Sequence, residues 1–164
     1  MPHPSIKSLI TINVCSFLMC CVSGIQANEV EDEVLALADQ ALARISAEDT
    51  VGLTDLMLDD ATMYSSAFRD GEYHVRRRDA EEERNTPIEV ALDERGFDPV
   101  VHVSGPIAMV WYPYDIYVDG EWSHCGVDIF NLVRTNDGWR IAALVWSVEQ
   151  PPACRKHPAG PPGS

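Results

Sequence analysis

Apolar and polar residues alternate along residues 107–149, and two short polar stretches interrupt the alternation. Asp119-Gly120 forms the first interruption, and residues 135–138 form the second. Both consist of residue types that adopt the backbone angles of tight hairpin turns. The pattern therefore predicts three consecutive antiparallel strands joined by two hairpins.

The second hairpin predicts which side chains share a face of this sheet. With residues 135–138 as the loop, Arg134 lies opposite Trp139, and every second residue beyond them points the same way. One face then carries His124, Asp128, Phe130 and Glu149. The other face carries apolar residues, among them Ile129, Leu144 and Trp146. Two apolar faces predict helices against one of them and a second subunit, or another layer, against the other.

The first hairpin leaves the facing of its residues open. A two-residue loop sets Asp115 opposite His124. Pro113 cannot donate a hydrogen bond to the ladder, so it indicates an edge or a bulge. A bulge there would reverse the facing of every earlier residue. Whether Trp111 or Tyr112 points toward the helices is therefore undecided.

Helical periodicity comes mostly before these strands. Residues 28–46 repeat apolar positions at helical spacing, and residues 51–58 continue with a short second helix. Residues 86–96 begin with threonine, proline and glutamate and end with glycine, which predicts a third helix. Residues 61–75 predict a weak hairpin, and residues 99–103 predict a further strand. Helices first and strands later indicate the α+β class.

The first 27 residues have the pattern of a secretory signal peptide. Lys7 precedes an apolar run that is shorter than a typical membrane-spanning helix, and Ala27 ends the segment. An uncleaved anchor and a lipoprotein-type segment are the alternatives. We expect residues 28–150 to form one domain and residues 151–164 a flexible Pro/Gly-rich tail. The mature protein is then exported to the periplasm or secreted, with no membrane contact after signal removal.

The chain is acidic, with a formal net charge of −14. Such a charge argues against nucleic acid as a partner, because the phosphates would be repelled. Residues 76–85 mix arginines with acids, which favours a solvated, self-compensating charge run over an anion site. Cys125 and Cys154 remain after signal removal, and an oxidising compartment favours a disulfide between them. The alternative is a buried Cys125 and a free thiol at Cys154.

The stretch from Trp111 to Leu132 and the motif Asp137-Gly138-Trp139-Arg140-Ile141 resemble the nuclear transport factor 2-like superfamily. The closest resemblance is to its SnoaL-like and lumazine-binding-like bacterial branch, and it covers residues 29–150. It implies a cone-shaped curved antiparallel sheet wrapped around three helices of the N-terminal half, a pocket in the cone, and a homodimer through the outer sheet face. This fold hosts isomerases, dehydratases and proteins without catalysis, so it implies no particular chemistry.

The polar residues of the predicted concave face suggest acid/base chemistry. A carboxylate from Asp115 or Asp128 beside His124 would fix the tautomer of the imidazole and raise its pKa, as a general base requires. Such a base could abstract a proton next to a carbonyl or drive an elimination. The alternative is that these buried polar groups only satisfy one another.

Aromatic residues complete the predicted pocket for a small hydrophobic or aromatic molecule. Its candidates are Tyr64, Trp111, Tyr112, Tyr114, Phe130 and, at the rim, Glu149. His74, His102 and His124 lack the spacing of metal ligands, and no glycine-rich phosphate loop occurs. We therefore expect neither a metal nor a cofactor.

Three functions are compatible with this sequence. The first, which we favour, is an exported small-molecule-binding protein without turnover. The second is an isomerase or dehydratase that uses a histidine/aspartate base. The third is an interaction module that binds another protein through its outer sheet face. Whether the chain is an enzyme stays open, because no acid/base pair is unambiguous.

Overall fold

A computed structural model describes residues 18–162, with side chains from residue 28 onward. Its three helices lie in the N-terminal half and are α1 (Leu18–Ser46), α2 (Thr50–Thr54) and α3 (Ala80–Arg84). The strands are β1 (Met57–Arg69), β2 (Glu72–Asp79), β3 (Leu92–Gly96), β4 (Val100–Ser104), β5 (Ile107–Val118), β6 (Glu121–Thr135) and β7 (Gly138–Val148). The α+β class and the three-strand meander β5–β6–β7 are confirmed.

The strands form one seven-stranded sheet in the order β2-β1-β7-β6-β5-β3, with β4 pairing beside β3 on β5. All pairs are antiparallel except β1 with β7, which are parallel. The predicted weak hairpin is the long β1–β2 pair, which turns at Asp70-Gly71. Both of these turn residues have positive φ, as a tight hairpin requires.

The core lies between α1 and the concave side of the sheet. Val34, Ala38 and Ala41 of α1 are fully buried, and Val110 and Ile141 of the sheet are fully buried opposite them. Each buried valine or isoleucine stabilises the fold by about 1.5–3 kcal/mol relative to an exposed one. The apolar stripe predicted for the first helix therefore fixes α1 inside the cone.

The structure tests the predictions for the N-terminal segment only in part. The helix predicted to begin at residue 28 is continuous from Leu18. The predicted signal segment, residues 1–27, lies outside the residues whose side chains are described, so it stays a prediction. None of the described helices is long and apolar enough to cross a membrane.

A bulge changes the predicted register of the β6–β7 hairpin. The strands pair as predicted from the turn as far as Leu132, but beyond it Asp128 lies opposite Trp146 instead of Val145. One extra residue in a strand reverses the facing of everything that follows. The assignment of Leu144 and Trp146 to the outer face is therefore wrong, because both point into the cone.

A second bulge lies near the turn of the β5–β6 hairpin and not at the proline. It sets Asp115 opposite Cys125, whereas the predicted partner was His124. From there on the strands pair regularly. Tyr112 therefore points toward the helices and is buried, while Trp111 points outward and is 42% exposed.

Residues 86–96 do not form the predicted third helix. The Thr86 hydroxyl donates to the Glu82 carbonyl at 2.7 Å, so this threonine ends α3 instead of starting a new helix. The residues from Leu92 onward then gain a ladder with β5 as strand β3. Likewise α2 ends before the predicted residue 58, because Met57 already belongs to β1.

The segment after β7, predicted as a flexible tail, is tethered to the outer side of the sheet. A disulfide joins Cys125 and Cys154. Asp115 is completely buried, forms an ion pair with Arg95 at 2.9 Å, and accepts a hydrogen bond from the His157 backbone N–H at 3.0 Å. A buried carboxylate needs such partners, so the tail closes an ionic cluster that would otherwise be unsatisfied.

Candidate functional site

The cone contains a cavity of about 250 Å³ between the concave sheet, the helices and the segment before β3. Isoleucine, leucine and methionine side chains and the Trp146 indole form most of its wall. Six polar side chains also reach it, and these are Arg78, Glu83, Glu94, Tyr114, His124 and Asp128. Among the described residues, no group of three or more His, Cys, Asp and Glu side chains could hold a metal ion.

Asp128 and Glu94 are neighbouring buried carboxyls at the cavity wall, close enough for each to shift the pKa of the other. Asp128 lies on β6 and Glu94 on β3, so the intervening strand β5 sets their separation. Burial raises the pKa of Glu94 to about 7. Burial raises the pKa of Asp128 well above its usual range, and the negative charge of Glu94 and a hydrogen bond from the Asp128 carboxyl to Glu94 raise the pKa further. Two adjacent buried carboxyls cannot both ionise cheaply, so the pair retains a proton near neutral pH.

Tyr114 supplies a phenol beside this pair. Its hydroxyl donates to the Ser147 carbonyl at 2.8 Å, and only 1% of the residue is exposed. Burial raises the pKa of Tyr114 above its usual range, and the negative charges of Asp128 and Glu94 raise the pKa further. Tyr114 therefore stays neutral, and its hydroxyl is already used for positioning the ring.

His124 stands at the edge of the cavity with its ring edge-to-face against Tyr114, at a centroid distance of 5.8 Å. Its Nδ1 lies 2.9 Å from the Ser123 hydroxyl. Burial lowers the pKa of His124, and the positive charge of Arg69 lowers the pKa further. The imidazole is therefore neutral at pH 7, opposite to the prediction that a carboxylate raises its pKa.

The structure brings together three of the predicted site residues, namely His124, Asp128 and Tyr114. Asp115 is not one of them. It lies on the outer side of the sheet, where Arg95 holds it in a bidentate pair with distances of 2.9 and 3.0 Å. Its proposed role as the orienting carboxylate of His124 is wrong, because the bulge in the β5–β6 hairpin turns it to the other face.

Most of the other residues predicted to line the pocket do not face the cavity. Tyr64 and Trp111 are partly exposed on the outer side of the sheet, so they do not face the cavity. Tyr112 and Phe130 lie on the inner side but are packed in the core, where the Tyr112 hydroxyl donates to Asp39 at 2.7 Å. Glu149 lines a different cleft, near the tail.

Sequence reasoning missed Glu94 because its segment carried helix signals. The stretch Leu92-Asp93-Glu94-Arg95-Gly96 also shows no apolar alternation that would indicate a strand. Only its pairing with β5 reveals that Glu94 faces inward while Arg95 faces outward to the tail.

The charged stretch 76–85 is not wholly solvated, which corrects the prediction for it. Glu83 is 4% exposed and forms an ion pair with Arg78 at 2.6 Å. The Arg78 guanidinium lies 5.5 Å from the centre of the Trp146 ring. Arg78 and Glu83 therefore line the cavity on the side of α3 as an ion pair.

Comparison with solved structures identifies the fold of this chain. An NTF2-like protein of cystatin-like fold from Novosphingobium aromaticivorans matches with a TM-score of 0.64 at 13% identity, over 82% of this chain and 91% of that chain. The chain has the nuclear transport factor 2-like fold. The resemblance seen in the sequence is therefore confirmed at the level of the fold.

Two further structures of this fold carry functional descriptions of their own. A candidate dehydratase from Streptomyces avermitilis matches with a TM-score of 0.56 at 20% identity, over 74% of this chain and 97% of that chain. A candidate ketosteroid isomerase from Parabacteroides distasonis matches with a TM-score of 0.52 at 19% identity, over 72% and 86% of the two chains. No protein-family model matches the chain, and no curated protein matches it in sequence.

Proposed function

We propose that the cavity in the cone binds a small, largely apolar, neutral molecule that carries a hydroxyl or carbonyl group. The supporting observation is the Asp128–Glu94 carboxyl pair, which lies among the isoleucine, leucine, methionine and tryptophan side chains that form most of the wall. A buried polar group must find a hydrogen-bond partner, and a ligand with one polar group can supply it without bringing a second charge.

The protonation of the pair favours a neutral ligand. Near pH 7 the pair retains at least one proton, so it presents both an O–H donor and carboxyl oxygens that accept. A ketone could accept from Asp128, and an alcohol or phenol could donate to Glu94. An anionic ligand would be repelled by the negative charge that the pair still carries.

The size of the cavity limits the ligand. Its volume of about 250 Å³ lies just below the range of about 300–1,000 Å³ that is usual for drug-sized ligands. A molecule of one or two rings therefore suits it better than a four-ring skeleton. Apolar walls favour such a ring system through area burial.

The binding proposal is tested with 2-naphthol, a two-ring phenol, by isothermal titration at pH 7. Ile88 lines the cavity, whereas Val90 on the same irregular segment is exposed. Ile88→Trp fills the cavity and should weaken binding by more than about tenfold, while Val90→Trp adds the same side chain outside it and should leave binding unchanged. Equal affinities of the two variants, or no binding by the unsubstituted protein, would reject the proposal.

Proton transfer within this cavity is the second candidate function, and the pKa of Glu94 favours it. A general base works best when its pKa is near the working pH, and Glu94 has a pKa of about 7. Glu94 would remove a proton next to a ketone and return it further along the skeleton, while Asp128 donates a hydrogen bond to the carbonyl oxygen. Glu94 thus replaces His124 as the base in the predicted isomerase or dehydratase chemistry.

Turnover distinguishes the two candidates. Isomerisation of 3-cyclohexenone to its conjugated isomer is followed by ultraviolet absorbance. Glu94→Gln should abolish this activity but leave 2-naphthol binding within a few fold, because the amide keeps the shape of the side chain. Binding without any isomerisation would leave the protein as a binder alone. Export and the homodimer stay proposals, since the first rests on residues 1–27 and the second on the apolar outer face.

A further inference from the structure

A second and larger cleft lies at the end of the sheet where the β1–β2 hairpin approaches the tail, and His124 borders both this cleft and the cavity in the cone. Its volume is about 850 Å³. The hairpin contributes Phe68, Arg69 and Tyr73, the end of β7 contributes Ser147 and Glu149, and the tail contributes Ala153.

Two aromatic rings form an exposed platform on one side of this cleft. Phe68 and Tyr73 lie opposite each other in the hairpin, their ring centroids are 5.0 Å apart, and they are 60% and 79% exposed. Because these rings are largely exposed, they contribute little to the stability of the fold. Exposed aromatic pairs in a concave surface are typical of binding sites.

The same cleft also contains hydrogen-bond donors and acceptors. Within residues 28–162, neither Arg69 nor Glu149 has a side-chain hydrogen bond or an ion-pair partner. The Ser147 hydroxyl oxygen accepts from the Val127 N–H at 3.2 Å, so its own hydrogen is available to a ligand. The cleft thus offers strong donors, a strong acceptor and a hydroxyl from the ends of the paired strands β1 and β7.

We propose that this outer cleft binds a neutral oligosaccharide of two or three rings. Sugar hydroxyls both donate and accept, so they can satisfy an arginine, a carboxylate and a serine at once. The C–H faces of sugar rings are apolar and pack on exposed aromatic faces such as those of Phe68 and Tyr73. A single amino acid could bridge the two charges, but it would leave most of the 850 Å³ and the aromatic platform unused.

The disulfide builds one wall of this site. Cys154 follows Ala153 directly and is bonded to Cys125 on the sheet. The bridge therefore fixes the chain beside Ala153 to the sheet, together with the Gln150 side chain, which donates to the Ser123 carbonyl at 2.9 Å. Sugar binding should weaken when the bridge is removed, and this dependence does not apply to the cavity in the cone.

Isothermal titration of the oxidised full chain with maltotriose, cellotriose and chitotriose tests the proposal. At least one trisaccharide should bind, and Tyr73→Ala should weaken it about tenfold through the lost ring contact. Trp111→Ala is the matched control, because Trp111 is also an exposed aromatic residue of the outer sheet side but lies outside the cleft. Arg69→Met and Cys154→Ser should each weaken binding as well.

Three results would overturn the proposal. The first is that none of the trisaccharides binds at millimolar concentration. The second is that Tyr73→Ala binds as tightly as the Trp111→Ala control. The third is that glycine or a dipeptide binds at this cleft while the sugars do not, which would assign the opposite charges to a zwitterion.

Discussion

Replacing Glu94 by glutamine should change how the stability of the protein depends on pH. Burial raises the pKa of Glu94 from 4.5 to about 7 in the folded state. The folded protein therefore holds a proton in this range that the unfolded chain releases. Its contribution to stability is complete below about pH 4.5 and is lost as the pH rises to about 7.

The size of the effect follows from the size of the shift. One pKa unit corresponds to about 1.4 kcal/mol, so the shift of Glu94 corresponds to about 3 kcal/mol. Glutamine cannot titrate, and it keeps the length and hydrogen-bonding capacity of the side chain. The stability of Glu94→Gln relative to the unsubstituted protein should therefore rise by about 3 kcal/mol between pH 4.5 and pH 7.

Urea denaturation at a series of pH values measures this difference. Other carboxyls titrate in the same range, so the comparison is between the two proteins and not between two pH values of one protein. Glu121→Gln, which replaces an exposed glutamate at the β5–β6 turn, is the control and should follow the unsubstituted curve. Parallel curves for Glu94→Gln and the unsubstituted protein would refute the buried, proton-sharing pair.

Three further predictions concern the tail and the outer face. Cys154→Ser should lower the free energy of unfolding by roughly 3 to 4 kcal/mol, measured by denaturation without reductant, and adding reductant to the variant should then have no effect. Arg95→Met leaves the buried Asp115 without its ion-pair partner and should cost about 3–5 kcal/mol in the same assay, so a loss below about 1 kcal/mol would contradict the buried pair. If the outer face forms the proposed homodimer, Ile107→Asp should yield monomers in light scattering, because Ile107 is 57% exposed there in the single chain.

The hairpins could be predicted because their signals are local. Asp119-Gly120 sets a turn by its own backbone preferences, and both of its residues do have positive φ. The three strands around it follow from alternation alone. Pairing near each turn was right for the same reason, since it depends only on the turn and its neighbours.

The two bulges could not be predicted, and they decide the site. A bulge is placed by how the whole sheet curves around α1, which no window of sequence contains. Each bulge reverses the facing of the residues that follow it. Trp146 therefore faces the cavity, and Asp115 faces the outer side of the sheet. Glu94 was hidden for a related reason, because a strong local helix signal lost to the ladder with β5.

The cavity beside Asp128 and Glu94 is the ligand site that we propose. Methyl NMR spectra recorded while 2-naphthol is added test it most directly. The largest shifts should occur at Met63, Ile88 and Leu144, which line the cavity. Shifts centred instead on Ile107 of the outer face, or none at saturating ligand, would contradict it.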